Sequence, residues 1–280
     1  MTQRFRVIEG GLSGTETAVP ASDAPRTWRV DLKPAAEVDG GTQAAWRALA
    51  TREADATTFD DPDYLLPAAH HRTDGHNLVF ALAWSRGEET ETESLHGVVP
   101  LALPHPVWGR GRVTHWQAPG TDSASEGLVE ARYADEVAAA LRRRLETSPR
   151  RLTLDPSART APKAAERPSV AAIPAANVVG VRPAPAQAAA ETEHVSEPAR
   201  IRDAVETFLA LDARASDKPI VADPSEANMV RVVSRLFARR RQASVELVRR
   251  DGDVVSGALR LGSGPRAVTW RQASLESERA

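Results

Sequence analysis

The 280-residue chain carries 36 basic and 38 acidic side chains, a net charge of -2, with 41% hydrophobic and 26% charged residues. That balance describes a globular α/β-sized chain, long enough for one large or two ordinary domains. It speaks against a nucleic-acid binder, which needs a strongly basic face. With no cysteine, disulfides, thiol nucleophiles and cysteine-ligated metals are excluded. No apolar run reaches spanning length and the start has no signal-peptide h-region, so a cytoplasmic protein with no membrane span is expected.

Residues 1–27 are rich in Gly, Ser, Thr, Ala and Pro without a period and are expected to form a flexible N-terminal arm. From Trp28 a short alternating strand leads into a helix opened by Thr42, with Ala45, Trp46, Leu49 and Ala50 on one face. Asp61 and Pro62 start a second helix carrying Tyr64, Leu65 and Leu66. Three strands follow at Leu78 to Trp84, Leu95 to Leu103 and Arg112 to Gln117, separated by turn-forming segments. Tyr133, Val137, Leu141 and Leu145 recur every four residues as a helix, and Arg151 to Leu154 is a last strand. These elements define a first domain over 28–155, ordered ααβββαβ.

Residues 156–199 are Ala- and Pro-rich and read as a linker in which only Asn177 to Val181 looks strand-like. A second domain over 200–280 begins with a helix whose buried stripe is Ile201, Val205, Phe208 and Leu209. Asp223, Pro224 and Glu226 supply a cap, a first-turn proline and a favourable charge for the next helix. In that helix Met229, Val233, Leu236 and Phe237 oppose Arg231, Arg235 and Arg239. Ser244 to Arg249, Val254 to Leu261 and Ala267 to Arg271 complete a second meander, with a turn at Asp251-Gly252. The order ααβββ repeats the first half without its final elements. The unpaired edge after Arg271 could serve a homodimer.

Candidate sites compete with plainer explanations. Asp122, Ser123, Ser125 and Glu126 fall in the loop after the third strand, but with only Gly120 and Gly127 near they form no phosphate cradle. Gly257, Gly262 and Gly264 fit turns and close strand approach. His70, His71, Asp74 and His76 match no zinc spacing and read as a solvated helix end, so no metal site is expected. His96, His105, His115 and His194 lack an orienting acid nearby in sequence. The arginine runs at 142–144 and 239–241 sit where cations complement helix C-termini and face water.

The runs at 46–65 (WRALATREADATTFDDPDYL), 204–216 (AVETFLALDARAS) and 222–276, the last containing SRLFARRRQASVELVRRDGDVVSGALRLGSGPRAVTW, carry a resemblance. The chain resembles the GNAT-like acyltransferases of the cellulose-biosynthesis CelD/BcsL group, relatives of the FemAB aminoacyltransferases. The resemblance implies tandem GNAT-like domains and transfer of an acyl group from acetyl-CoA or another acyl-CoA to an amine or sugar-linked acceptor, in exopolysaccharide or cell-envelope biosynthesis. It makes Trp270, Arg271 and Glu276 candidates near the acyl or acceptor site, and Asp122 and Ser123 candidates in the cofactor loop. Family members carry Lys where Arg271 stands and Gly-Trp-Lys-Gly near Ser216 to Pro219, where only Lys218 matches. They continue past the Trp270 strand into Ser-Pro-Gly and a helix, whereas here Gln272 and Ala273 are followed within a few residues by the last residue, Ala280. In a GNAT fold the strand after the meander passes to a loop and a helix whose N-H groups hold the CoA pyrophosphate. The second half, read as truncated before that point, makes the chain alone a poor acyltransferase. The alternative is a non-catalytic binding or assembly protein that keeps the fold.

Overall fold

Aspartates open three of the helices of the computed structural model, which describes residues 26–71, 78–87, 92–104, 111–116, 127–149, 151–160 and 191–275. The first half runs β1 (Thr27–Lys33), α1 (Gly40–Arg52), α2 (Pro62–His71), β2 (Leu78–Arg86), β3 (Ser94–Ala102), β4 (Arg112–Trp116), β5 (Leu128–Val129), α3 (Ala134–Glu146) and β6 (Thr153–Thr160). The second runs β7 (Glu191–Val195), α4 (Pro198–Ala215), α5 (Pro224–Arg239), β8 (Ala243–Arg250), β9 (Asp253–Leu261) and β10 (Val268–Ser274). Asp39 caps α1 by accepting from the Thr42 N–H at 2.8 Å, and Asp223 caps α5 from Ser225 at 2.9 Å and Glu226 at 3.3 Å. Asp251 and Gly252, with φ of 54° and 88°, form the mirror-type turn that suits the twist of β8 and β9.

The first sheet is ordered β1-β2-β3-β4-β6, with β5 pairing β3. Its strands are antiparallel except that β6 returns parallel to β4, a crossover made through α3. Helices α1 and α2 cover one face and α3 the other, where Val99, Leu101, Val137, Leu141 and Leu145 form a separate core. The second sheet, β7-β8-β9-β10, is antiparallel throughout and carries α4 and α5 on one face. Its opposite face carries the half-exposed Glu246–Arg260 ion pair at 3.2 Å. The molecule is thus a mixed α/β protein of two helix-covered sheets in tandem.

Strand β7 corrects the expectation of a continuous linker to residue 199. Its burial alternates weakly and only Val195 is buried, so an edge strand of polar residues leaves no apolar run to recognise. The expected strand at Asn177 to Val181 lies outside the described residues.

The halves meet helix to helix, and the larger core runs through both, from Trp46, Tyr64 and Phe80 to Phe208, Val233, Phe237 and Trp270. The Arg266 guanidinium donates to Ala50 O at 2.8 Å and Glu53 O at 2.7 Å, closing the C-terminus of α1 from the other half. Arg240 donates to Asp61 at 2.7 Å and Asp63 at 2.9 Å, and Arg47 to Asp63 at 2.6 Å. This revises the expectation that the 239–241 run faces only water. In the 142–144 run, Arg144 likewise turns inward, donating to Val30 O at 3.2 Å.

Candidate functional site: a buried histidine and its carboxylate

Pairing of β2 with β3 passes from Ala83↔Gly97 to Trp84↔Leu95, which leaves His96 as the extra residue of a β-bulge. A bulge turns a side chain out of strict alternation, and here the imidazole stands beside Trp28 and Tyr133, with ring centroids 5.6 and 4.7 Å away. Strand β5 then docks on β3, and the Glu130 N–H donates to His96 O at 2.8 Å. That places the Glu130 carboxylate 2.7 Å from His96 Nδ1, with both side chains buried.

Glu130 also accepts from Arg132 Nε, and from Arg52 Nη2 at 3.4 Å. Burial pushes its carboxyl up, but the His96 hydrogen bond and charge, followed by Arg132, outweigh that and hold it below the ordinary value. Burial pushes the imidazole down, and the guanidinium fields of Arg26 and Arg52 add to this, against the opposing pull of Glu130; the net direction is down. A neutral imidazole beside an ionised carboxylate donates from Nδ1, which leaves the lone pair on Nε2. Nε2 is buried with no hydrogen-bond partner among the described residues, as is the Tyr133 hydroxyl. The cluster therefore holds an oriented base and an uncommitted O–H packed against the Trp28 ring. Unpaired buried polar atoms of this kind mark sites where chemistry or binding supplies the missing partner.

Sequence reasoning set His96 aside because no acid lies near it in the chain. The acid is 34 residues away, and only the pairing of β5 with β3 brings it in. Of the other histidines, His70 and His71 close α2 with rings 5.2 Å apart, and burial followed by His70 lowers the His71 value. Asp74, His76 and His105 lie outside the described residues. Among the described residues no three metal-ligating side chains gather.

The structure places Trp270 in the shared core, 5.8 Å from the Tyr64 ring. Arg271 donates to Glu226 of α5 at 3.2 Å and to Trp270 O at 3.1 Å. Neither lies in the His96 cluster. Glu276, Asp122 and Ser123 fall outside the described residues.

No family model matches the chain, and no curated protein does. Among solved structures, one described as a tandem GNAT protein from the clavulanic acid biosynthesis pathway (without AcCoA) is similar. It is 16% identical, the alignment covers 90% of this chain and 81% of that one, and the TM-score is 0.37. The likeness is distant and transfers no residue role. No helix of the described residues is long and apolar enough to cross a membrane.

Proposed function

We propose that the chain is a GNAT-like acyltransferase that moves an acyl group from an acyl-CoA thioester to an amine, with the first half as the working half. The observation that carries this reading is the order of that half: an antiparallel meander, then α3, then β6 parallel to β4. It matches the strand, loop and helix succession implied by the resemblance, and it sets the His96–Glu130 pair at the junction of β3 and β5. In the reaction the amine nitrogen attacks the thioester carbonyl, a C–N bond forms and the C–S bond breaks. His96 Nε2 takes the proton from the amine, Glu130 holds the ring in the tautomer that can do so, and the Tyr133 hydroxyl protonates the departing thiolate. Trp28 and Tyr133 exclude water from the base.

Asp122 and Ser123 belong, in this reading, to the cofactor side of the site. Trp270 and Arg271 serve to lock β10 to α2 and α5. An exopolysaccharide or cell-envelope acceptor rests on the resemblance of 46–65, 204–216 and 222–276. One observation favours a second reading, that of a non-catalytic protein which keeps the fold. Asp135 and Glu136 occupy the first turn of α3, where their charge takes the positive end of the helix that a pyrophosphate would need.

Calorimetric titration of the full chain with acetyl-CoA, followed by thiol release with a panel of amines, decides between them. The enzyme reading expects saturable binding and amine-dependent thiol release that His96→Gln abolishes. Binding without release, or no binding, leaves the second reading.

A further inference from the structure

Helices α4 and α5 pack as an antiparallel pair, and near the start of α4 they part to form an open cleft of about 210 Å³. Its walls include Ile201, Val205, Arg202, Ser234 and Arg235, together with Glu206 and Arg231. One ion pair bridges the two helices, in which Arg231 donates to both oxygens of Glu206 at 2.7 and 2.9 Å. One turn further along each helix stand Arg202, four residues before Glu206, and Arg235, four residues after Arg231. The pair that neutralises the first level is therefore followed, one turn on, by Arg202 and Arg235, which both line the cleft. Arg235 has no hydrogen-bond or ion-pair partner among the described residues, and Arg202 contributes only its field to Glu206.

Two unpaired guanidiniums lining one cleft favour an anion bound within it. The floor adds an independent sign. Ser234 is 3% exposed, and its hydroxyl is buried with no partner among the described residues, a donor left without an acceptor. Beside it the buried Ile201 and Val205 supply an apolar wall.

We infer that this cleft is a ligand site for a small organic anion, a carboxylate on a short hydrocarbon. Arg202 and Arg235 clamp the carboxylate, Ser234 donates a hydrogen bond, and the hydrocarbon lies on Ile201 and Val205. The site lies in the second half and is independent of the acyl-transfer reading for His96.

Ligand-observed NMR titration of the full chain with octanoate, octanol and inorganic phosphate tests this. Octanoate should bind saturably, and Arg235→Glu should weaken it by about tenfold or more, as expected for loss of a charge-assisted contact. Ser234→Ala should weaken it several-fold, and Arg239→Glu, outside the cleft lining, should leave it unchanged. Should Arg235→Glu fail to fold by circular dichroism, Arg202→Ala takes its place. Octanol or phosphate binding as tightly as octanoate, no binding of octanoate, or an Arg235→Glu protein that binds like the parent would each overturn the assignment.

Discussion

His96 shows how one side chain can couple stability to pH. Its folded pKa is depressed, so the folded protein binds fewer protons here than the unfolded chain just below the ordinary value of 6.5. The stability that this group contributes is therefore complete above about pH 6.5 and is lost as the pH falls from there toward the folded value. Glu130, also depressed, contributes stability that is lost below the ordinary carboxyl value of 4.5. Urea unfolding measured across these windows should show a falling midpoint below pH 6.5 in the parent, and His96→Gln should flatten that segment and also weaken the acid limb, because His96 is the leading cause that lowers Glu130. An unchanged slope in the variant would refute the assignment. His96→Ala should cost about 2 kcal/mol, because it strips Glu130 of a buried partner and opens space beside Trp28 and Tyr133.

At the scale of elements, the site depends on β5, a strand of two residues. Gly127 introduces it with φ of +117°, and a Cβ there would stand 2.6 Å from Val98 O and 2.9 Å from Val99 Cα. Both neighbours are backbone, so the strand cannot give way. Gly127→Ala should therefore destabilise the protein by about 2 kcal/mol or more and withdraw Glu130 from His96. Gly40, in the first turn of α1 with nothing within 4 Å of its Cβ position, is the contrast. Gly40→Ala should be neutral or stabilising by about 0.5 to 1 kcal/mol in the same denaturant assay. The helices themselves were legible beforehand, since Asp223, Pro224 and the apolar positions of α5 speak through local capping and a 3.6-residue period. Strand β7 was not, since its side chains mostly face water.

For the whole molecule, the shared core and the Arg240 and Arg266 bridges make the two halves one cooperative unit. Scanning calorimetry of the full chain should show a single transition, and two separated transitions would refute the coupling. Arg240→Ala leaves Asp61 and Asp63 with less compensation at the seam. As the guanidinium is one-third exposed, the expected loss is about 2 kcal/mol, below that of a fully buried pair. Sequence reasoning could not have found this contact, because Arg240 and its acids lie 177 and 179 residues apart.

What the sequence by itself determined is the order of the capped amphipathic helices and of the two meanders, without β5 and β7, each written within a window of about a dozen residues by hydrophobic period and turn chemistry. Tertiary structure alone decided that Glu130 reaches His96, that Trp270 packs on Tyr64, and that Arg202 and Arg235 line one cleft. Those pairings follow from strand register and helix packing, which sum weak contributions over distant segments and leave no mark on the local composition of either partner.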